Sequence, residues 1–308
     1  MAMKKQDVTF NANGFQLAGV LRIPENTSGK KPAIVSVHPI SSCKEQTSGI
    51  YAERLSNLGY ITLTFDASYQ GESEGEPRYV EAAYARVEDI RSAIDFLMTR
   101  DEVDENRIGV LGICGGGGYS VTATMTDRRV KALGTVAGVN IGRMDREGDG
   151  SPDAAIRTLE KVSEQRTSEA RGADAFITNY IPNTPEERDE VGIKTLDISE
   201  AVDYYRTSRG YHPNSQNKRK FTSIDKTMAY DAFHLADQLL TQPLQIIVGA
   251  KPGEFGSYRD GFELYNKAAS EKKNLYVMEN VSHYDLYDLP KAVDPAMGKL
   301  EAFYKENL

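Results

Sequence analysis

An α/β fold, with a mostly parallel, doubly wound sheet of eight strands, is what this 308-residue chain predicts. Three observations predict it. Short apolar runs recur along the chain, each about as long as one buried strand. Helix-spaced stretches separate most of them, as parallel pairing requires. A hairpin signal opens the chain and stands outside that alternation.

The elements follow in order. DVTFNANGFQLAGVLRIP alternates apolar and polar residues on either side of Asn13-Gly14, a pair suited to the positive φ angles of a tight hairpin turn. AIVSVHP (33–39) reads as a buried strand stopped by proline. A helix with Tyr51, Leu55 and Leu58 on one face closes at Gly59, and ITLTFD (61–66) is the next strand. Val87, Ile90, Ile94 and Leu97 share one face of a long helix. RIGVLGI (107–113), VKALGTV (130–136), LQIIVG (244–249) and LYVM (275–278) are further buried strands. His234 falls in DAFHLADQLL, which reads as helical, and Met297, Leu300 and Tyr304 line one face of a closing helix.

The alternation stops over roughly 140–235, a charged stretch with helix-like pieces such as AAIRTLEKVSEQR and ISEAVDYYRTSRGYHP. Lying between two sheet strands, it is expected to be an inserted, mostly helical cap, with 1–139 and 236–308 forming the core. Tyr180, Tyr204, Tyr205 and Tyr211, with His212, are expected either to line a pocket or to form the cap's own core.

Composition narrows the function. A net charge of −8 argues against nucleic acid, which needs a concentrated basic surface. No signal-like apolar segment opens the chain and no apolar run is long enough for a membrane span, so a cytoplasmic protein is expected. Two cysteines, Cys43 and Cys114, are too few for a disulfide framework and are read as thiols. The four histidines show no ligand-like spacing, so neither metal nor cofactor is expected. DREGDGSPDAAI (145–156) imitates a calcium loop but has Ile156 at the position that needs glutamate.

LGICGGGGYS (111–120) carries the chemistry. It lacks both the G-x-G-x-x-G of a dinucleotide site and the lysine of a phosphate loop. Gly112-Ile113-Cys114-Gly115-Gly116 does have the spacing of a nucleophile elbow, a sharp strand-to-helix turn with glycines two before and two after the reactive residue.

At this point the chain resembles the α/β-hydrolase superfamily, and within it the dienelactone-hydrolase-like branch with a cysteine nucleophile. It is similar in particular to the YcjY-like, or polyketide-transferase-like, hydrolases. The segments that carry the likeness are HPISSCKEQTSGIYAERL, FDASYQGESEGEPR, RIGVLGICGGGGY, YYRTSRGYHPNS and SHYDLYD, from His38 to Asp288. The resemblance implies Cys114 as nucleophile and His283, in the loop after the last strand, as general base. It implies an oxyanion hole from the N–H groups of Gly115 and Ile40, since Pro39 has none to give. It implies an acid after LQIIVG, where Glu254 is the nearest carboxylate and Asp260 the next; a Cys–His dyad is the alternative. His38 is expected to orient the site or touch substrate. Asp66 reads as architecture, Glu45 as a cap for the following helix, and Asp285 and Asp288 as caps for the one after His283. Cys43 and Cys114 follow neighbouring strands, so a redox pair is conceivable.

The expected function is hydrolysis of a small-molecule ester, lactone or thioester through an acyl-thioenzyme. The alternatives are an acyltransferase or cyclase using the same acyl-enzyme, and a non-catalytic ligand-binding protein on a hydrolase frame. A homo-oligomer is compatible with the sequence. The enzyme reading requires a sulfur that is not sealed in an apolar interior and an imidazole within its reach.

Overall fold

A computed structural model describes residues 3–25 and 29–308. β1 (Met3–Ala12) and β2 (Phe15–Pro24) pair antiparallel over their full length, turning at Asn13 (φ 53°) and Gly14 (φ 88°). The chain then alternates β3 (Lys31–Val37), α1 (Thr47–Asn57), β4 (Ile61–Phe65), α2 (Ala83–Met98), β5 (Val103–Ile113), α3 (Gly115–Thr126) and β6 (Val130–Val136). The inserted segment carries α4 (Ile141–Glu147), α5 (Ala154–Ala170), β7 (Ile177–Thr178), α6 (Pro185–Glu190), α7 (Leu196–Tyr205), β8 (Arg219–Lys220) and α8 (Ile224–Met228). The chain returns through α9 (Ala236–Leu239), β9 (Leu244–Gly249), α10 (Ser257–Lys267), β10 (Lys273–Met278), α11 (Asp285–Asp288) and α12 (Pro290–Asn307).

Among the described residues the main sheet has eight strands in the order β1-β2-β4-β3-β5-β6-β9-β10. β1, β2 and β4 pair antiparallel in turn, and every later pairing is parallel. Each central strand is buried on both faces, as the unbroken apolar runs require. The predicted helix faces are buried too: Val87, Ile90, Ile94 and Leu97 on α2, and Met297, Leu300 and Tyr304 on α12. Two local readings differ. Leu58 is the C-cap of α1 and is 39% exposed, because the helix ends one residue before it. His234 lies in a turn rather than a helix, since Leu235 takes a left-handed conformation at the start of α9.

The inserted segment is tied to the sheet domain by polar contacts. The Arg209 guanidinium grips Asp288 at 2.6 Å and the Tyr284 carbonyl at 2.8 Å. Gln46 Nε2 donates to the Gly210 carbonyl at 2.6 Å, and Ser215 Oγ to the Ser41 carbonyl at 2.6 Å. Asp288 thus serves this junction and not a helix cap. Asp145, from the calcium-like stretch, pairs with Arg219 at 2.7 Å.

Candidate active site

The glycine run sits where α3 is pressed between strand ends. A Cβ on Gly116 would lie 2.5 Å from the Val37 carbonyl and 2.6 Å from that of His38; one on Gly112 would strike Gly117 Cα at 2.6 Å. These neighbours are backbone and cannot swing aside, so glycine is required at both positions. Between them, Cys114 takes φ 52° and ψ −126°. A non-glycine residue held there stores of order 1–3 kcal/mol of strain. Its backbone is locked on both sides: the N–H donates to Val136, and the carbonyl accepts from Gly117 and Val139. The sharp turn lifts the sulfur off the strand end.

Cys114 is 5% exposed and lines a cavity of about 70 Å³. Ile40, Ile141, Met144, Ile181 and Phe255 give this cavity apolar walls, and Tyr180, Tyr205, Tyr284 and Tyr287 bring phenols to it. The hydroxyls of Tyr180 and Tyr205 are buried without a hydrogen-bond partner, although Ser42 and Tyr287 stand near that of Tyr205. Such groups cost free energy unless a ligand or water meets them. Burial pushes the Cys114 thiol up to about 11, against the lowering effect of hydrogen bonds from the Tyr287 hydroxyl and the Gly115 N–H. The resting thiol is therefore protonated near neutral pH.

His283 is fully enclosed, and burial alone pulls its imidazole down to about 3. Its Nε2 lies 3.1 Å from the Tyr287 hydroxyl and its Nδ1 lies 3.0 Å from Ser257 Oγ. Among the described residues no direct hydrogen bond joins His283 to Cys114; the Tyr287 hydroxyl engages both. Tyr287 is four residues after His283, a spacing that sets both on one side of the turn entering α11.

The predicted acids stand elsewhere. Glu254 Oε1 accepts from the Ile198 N–H of α7 at 2.9 Å. Asp260 is buried against Arg143 (2.7 Å) and the Asn140 N–H (2.8 Å). The proline-bearing turn after β9 directs Glu254 toward the insertion, and Ser257, at the start of α10, meets the imidazole in its place. A short serine following Gly256 gave no sequence signal for this role.

Gly115 and Ile40 are adjacent: a Cβ on Gly115 would stand 2.8 Å from Ile40 Cγ2. Gly115 opens α3, so its N–H has no intrahelical partner. The Ile40 N–H meets no acceptor among the described residues. His38 supports this turn from behind. Its Nε2 accepts from the Ala67 N–H at 3.1 Å, its Nδ1 lies 2.6 Å from the Pro39 carbonyl, and Arg86 donates to its own carbonyl at 2.7 Å. Burial, then Arg86, hold it neutral, and it lies outside the cavity lining.

Of the remaining expected contacts, Tyr205 lines the cavity, while Tyr204 is 1% exposed and packs edge-on against Tyr205 and Tyr287. Tyr211 is 55% exposed beneath Arg206, and His212 stands beside Glu45, so neither lines the cavity. Glu45 does not cap α1, whose N-cap is Gln46. Asp66 is buried and organises Lys44 and the Glu72 N–H. Cys43 and Cys114 are both free thiols.

A contact invisible in the sequence joins the insertion to this wall. Asp197 of α7 accepts from the Phe255 N–H at 2.7 Å, and its other oxygen has no partner. Burial, aided by Glu254 and Glu200, pushes this carboxyl up to about 7, against the Phe255 hydrogen bond. Phe255 in turn stands edge-on to His283, ring centroids 5.8 Å apart.

Comparison with known proteins agrees with this architecture. The profile of the dienelactone hydrolase family matches residues 17–141. Uncharacterized protein YcjY of Escherichia coli (strain K12) is 38% identical, covering 99% of this chain and 100% of its own. The crystal structure of hypothetical protein PA2218 from Pseudomonas aeruginosa superposes with a TM-score of 0.90 at 33% identity, over 99% of this chain and 94% of the other. A thiohydrolase of Eupenicillium brefeldianum is 23% identical over 97% of this chain and 93% of its own.

Proposed function

This chain belongs to the dienelactone hydrolase family of α/β-hydrolases, and on that premise we propose that it is a thiol hydrolase of small-molecule esters, lactones or thioesters. The observation that carries the reading is Cys114, held at φ 52° on the wall of an apolar cavity, with the Tyr287 hydroxyl linking its thiol to His283. Residues 140–235 act as the cap that closes this cavity.

In the proposed cycle, His283 keeps its proton on Nδ1, facing Ser257; at rest the Tyr287 hydroxyl donates to Nε2 and accepts from the thiol, and it donates to the sulfur only once a thiolate forms. As the sulfur attacks the substrate carbonyl, the thiol proton passes to Tyr287 and the phenol proton to Nε2. The carbonyl oxygen becomes an oxyanion held by the Gly115 and Ile40 N–H groups. Collapse expels the alcohol or thiol, which takes a proton back along the same route, and leaves an acyl-thioenzyme. Water, deprotonated through His283, then releases the acid and restores the thiol. A neutral thiol and neutral imidazole at rest require this transfer to accompany attack.

A cavity of about 70 Å³ favours a short, largely apolar acyl group, and the thiohydrolase relative supports thioesters among the substrates. The same dry walls favour, as a second reading, transfer of the acyl group to an acceptor other than water. Two free thiols suit a cytoplasmic setting, and no helix is long and apolar enough to cross a membrane. The test is intact-mass trapping of an acyl adduct across a panel of activated esters, lactones and thioesters. An adduct mapped to Cys114 is expected; turnover without one, or an adduct elsewhere, overturns the proposal.

A further inference from the structure

On the rim where the cap meets the sheet domain, Cys43, Glu45 and His212 each present one ligand atom, and the three atoms lie within 4.8 Å of one another. None of these residues has a part in the proposed cycle. We infer that they form a binding site for a zinc-class divalent cation, which fastens the cap loop carrying His212 to the core loop carrying Cys43 and Glu45.

The donor set suits that class of ion. One thiolate, one imidazole and one carboxylate are borderline-soft ligands of the kind Zn²⁺ prefers, and a water from the solvent side completes four-coordination. His212 and Glu45 have side chains 31% and 26% exposed, so the fourth position opens outward, while Cys43 is wholly buried beneath. Glu45 is divided in its contacts. Its Oε1 meets Lys44 Nζ at 2.8 Å and Asn214 Nδ2 at 3.4 Å, but its Oε2 is buried without a hydrogen-bond partner. That unpartnered oxygen lies 3.7 Å from His212 Nδ1. Two ligands of one tetrahedral zinc stand roughly 3.3–3.7 Å apart, so this pair is already spaced for it. The widest pair has to close by about 1 Å, which the partly exposed His212 and Glu45 side chains can supply.

The surrounding charge also suits a dication. Lys44 is a single ammonium among three carboxylates, Glu45, Asp66 and Glu72, which leaves the cluster two charges negative. Binding breaks the Cys43 S–H bond, sends the proton to solvent and forms a sulfur–metal bond, with no change of oxidation state. The cluster then carries one negative charge. The carboxylates gathered around this corner favour a bound dication over a vacant site. What is given up is a long hydrogen bond, 3.3 Å, from the Asn214 N–H to His212 Nδ1, and the bond from the Cys43 thiol to the Glu45 carboxylate. The link would reinforce the Gln46–Gly210 and Ser215–Ser41 contacts that already join the two loops.

The test uses the full-length reduced protein, stripped with a chelator and titrated with Co²⁺ and then Zn²⁺. One equivalent of Co²⁺ should produce a thiolate charge-transfer band with tetrahedral visible absorption, and Zn²⁺ should displace it. Cys43→Ser should remove the charge-transfer band, and the surface substitution His212→Ala should weaken binding at least tenfold. Cys114→Ser should leave the spectrum intact. No band in the parent protein, or one that survives Cys43→Ser and disappears with Cys114→Ser, overturns the inference. His212→Ala keeps the test decisive if the buried Cys43 variant misfolds.

Discussion

The two walls of the cavity are built differently. On the elbow side, Cys114 is fixed by backbone alone: a strand end, a helix start, three main-chain hydrogen bonds and glycines packed onto carbonyls. On the opposite side, Phe255 and Tyr287 line the cavity with His283 and Ser257 behind them; these residues come from loops and helix starts and are held by side-chain hydrogen bonds, two of them on His283, and by contact with the inserted segment. Two unpaired phenols and a half-paired carboxyl line or adjoin this second wall. The proposed nucleophile is thus placed by backbone geometry and the proposed base by tertiary packing. That difference tells where substitutions should be absolute and where they should be graded.

The largest effect tests the rigid wall. Cys114→Ala should lower turnover of activated esters by at least about a thousandfold while leaving the melting temperature close to that of the parent, because the backbone lock does not use the sulfur. Undiminished turnover would remove the nucleophile from this wall altogether.

Tyr287→Phe comes next and probes the graded wall. Breaking the link between thiol and imidazole should cost roughly 10–100-fold in kcat, less than loss of the nucleophile. Because that phenol lowers the thiol's pKa, its removal should also slow alkylation by iodoacetamide. In the parent, alkylation should accelerate about tenfold per pH unit from neutrality toward 11, since only the thiolate reacts. A rate that is flat near pH 7 would mean a standing thiolate–imidazolium pair, and the relay would be wrong.

Gly116→Ala returns to the rigid side with a stability readout. The added methyl must displace the Val37 or His38 carbonyl, so unfolding free energy should fall by about 1–3 kcal/mol in a denaturant titration. An unchanged midpoint would show that the elbow has slack.

The smallest effect is expected from Asp197→Asn. Burial raises this carboxyl from 3.8 to about 7, so the folded state keeps a proton that the unfolded chain has lost. Stability therefore falls as pH rises through that window. The amide keeps an acceptor for the Phe255 N–H but carries no charge, so the variant should gain on the order of 1 kcal/mol at pH 8 and almost nothing at pH 4. Equal gains at both would show that ionisation is not involved.

Much of this molecule was readable in the linear chain. The hairpin at Asn13-Gly14, six further strands and the elbow all depend on residues close in sequence, where period, turn chemistry and glycine spacing leave few alternatives. His283 was singled out by its order after the last strand, and the structure places it beside Tyr287. The partners of that imidazole were not. Glu254 was the nearest carboxylate by position, yet it binds the Ile198 N–H across the cap, and Ser257 faces Nδ1 in its place. His38 looked like a site residue because it ends the right strand, but its ring turns inward to Ala67 and Arg86. Histidine spacing gave no hint of the proposed rim site either, because Cys43 and Glu45 meet His212 only through the packing of the inserted segment.

The sequence by itself determined the individual strands, the helices between them and the turn that carries the sulfur, because each rests on patterns within a few residues or on backbone sterics. Only the tertiary structure decided which hydroxyl joins thiol to imidazole, which carboxyl stays half-paired and which side chains converge on the rim. Those are contacts between segments tens to hundreds of residues apart, set by how loops pack rather than by any local preference.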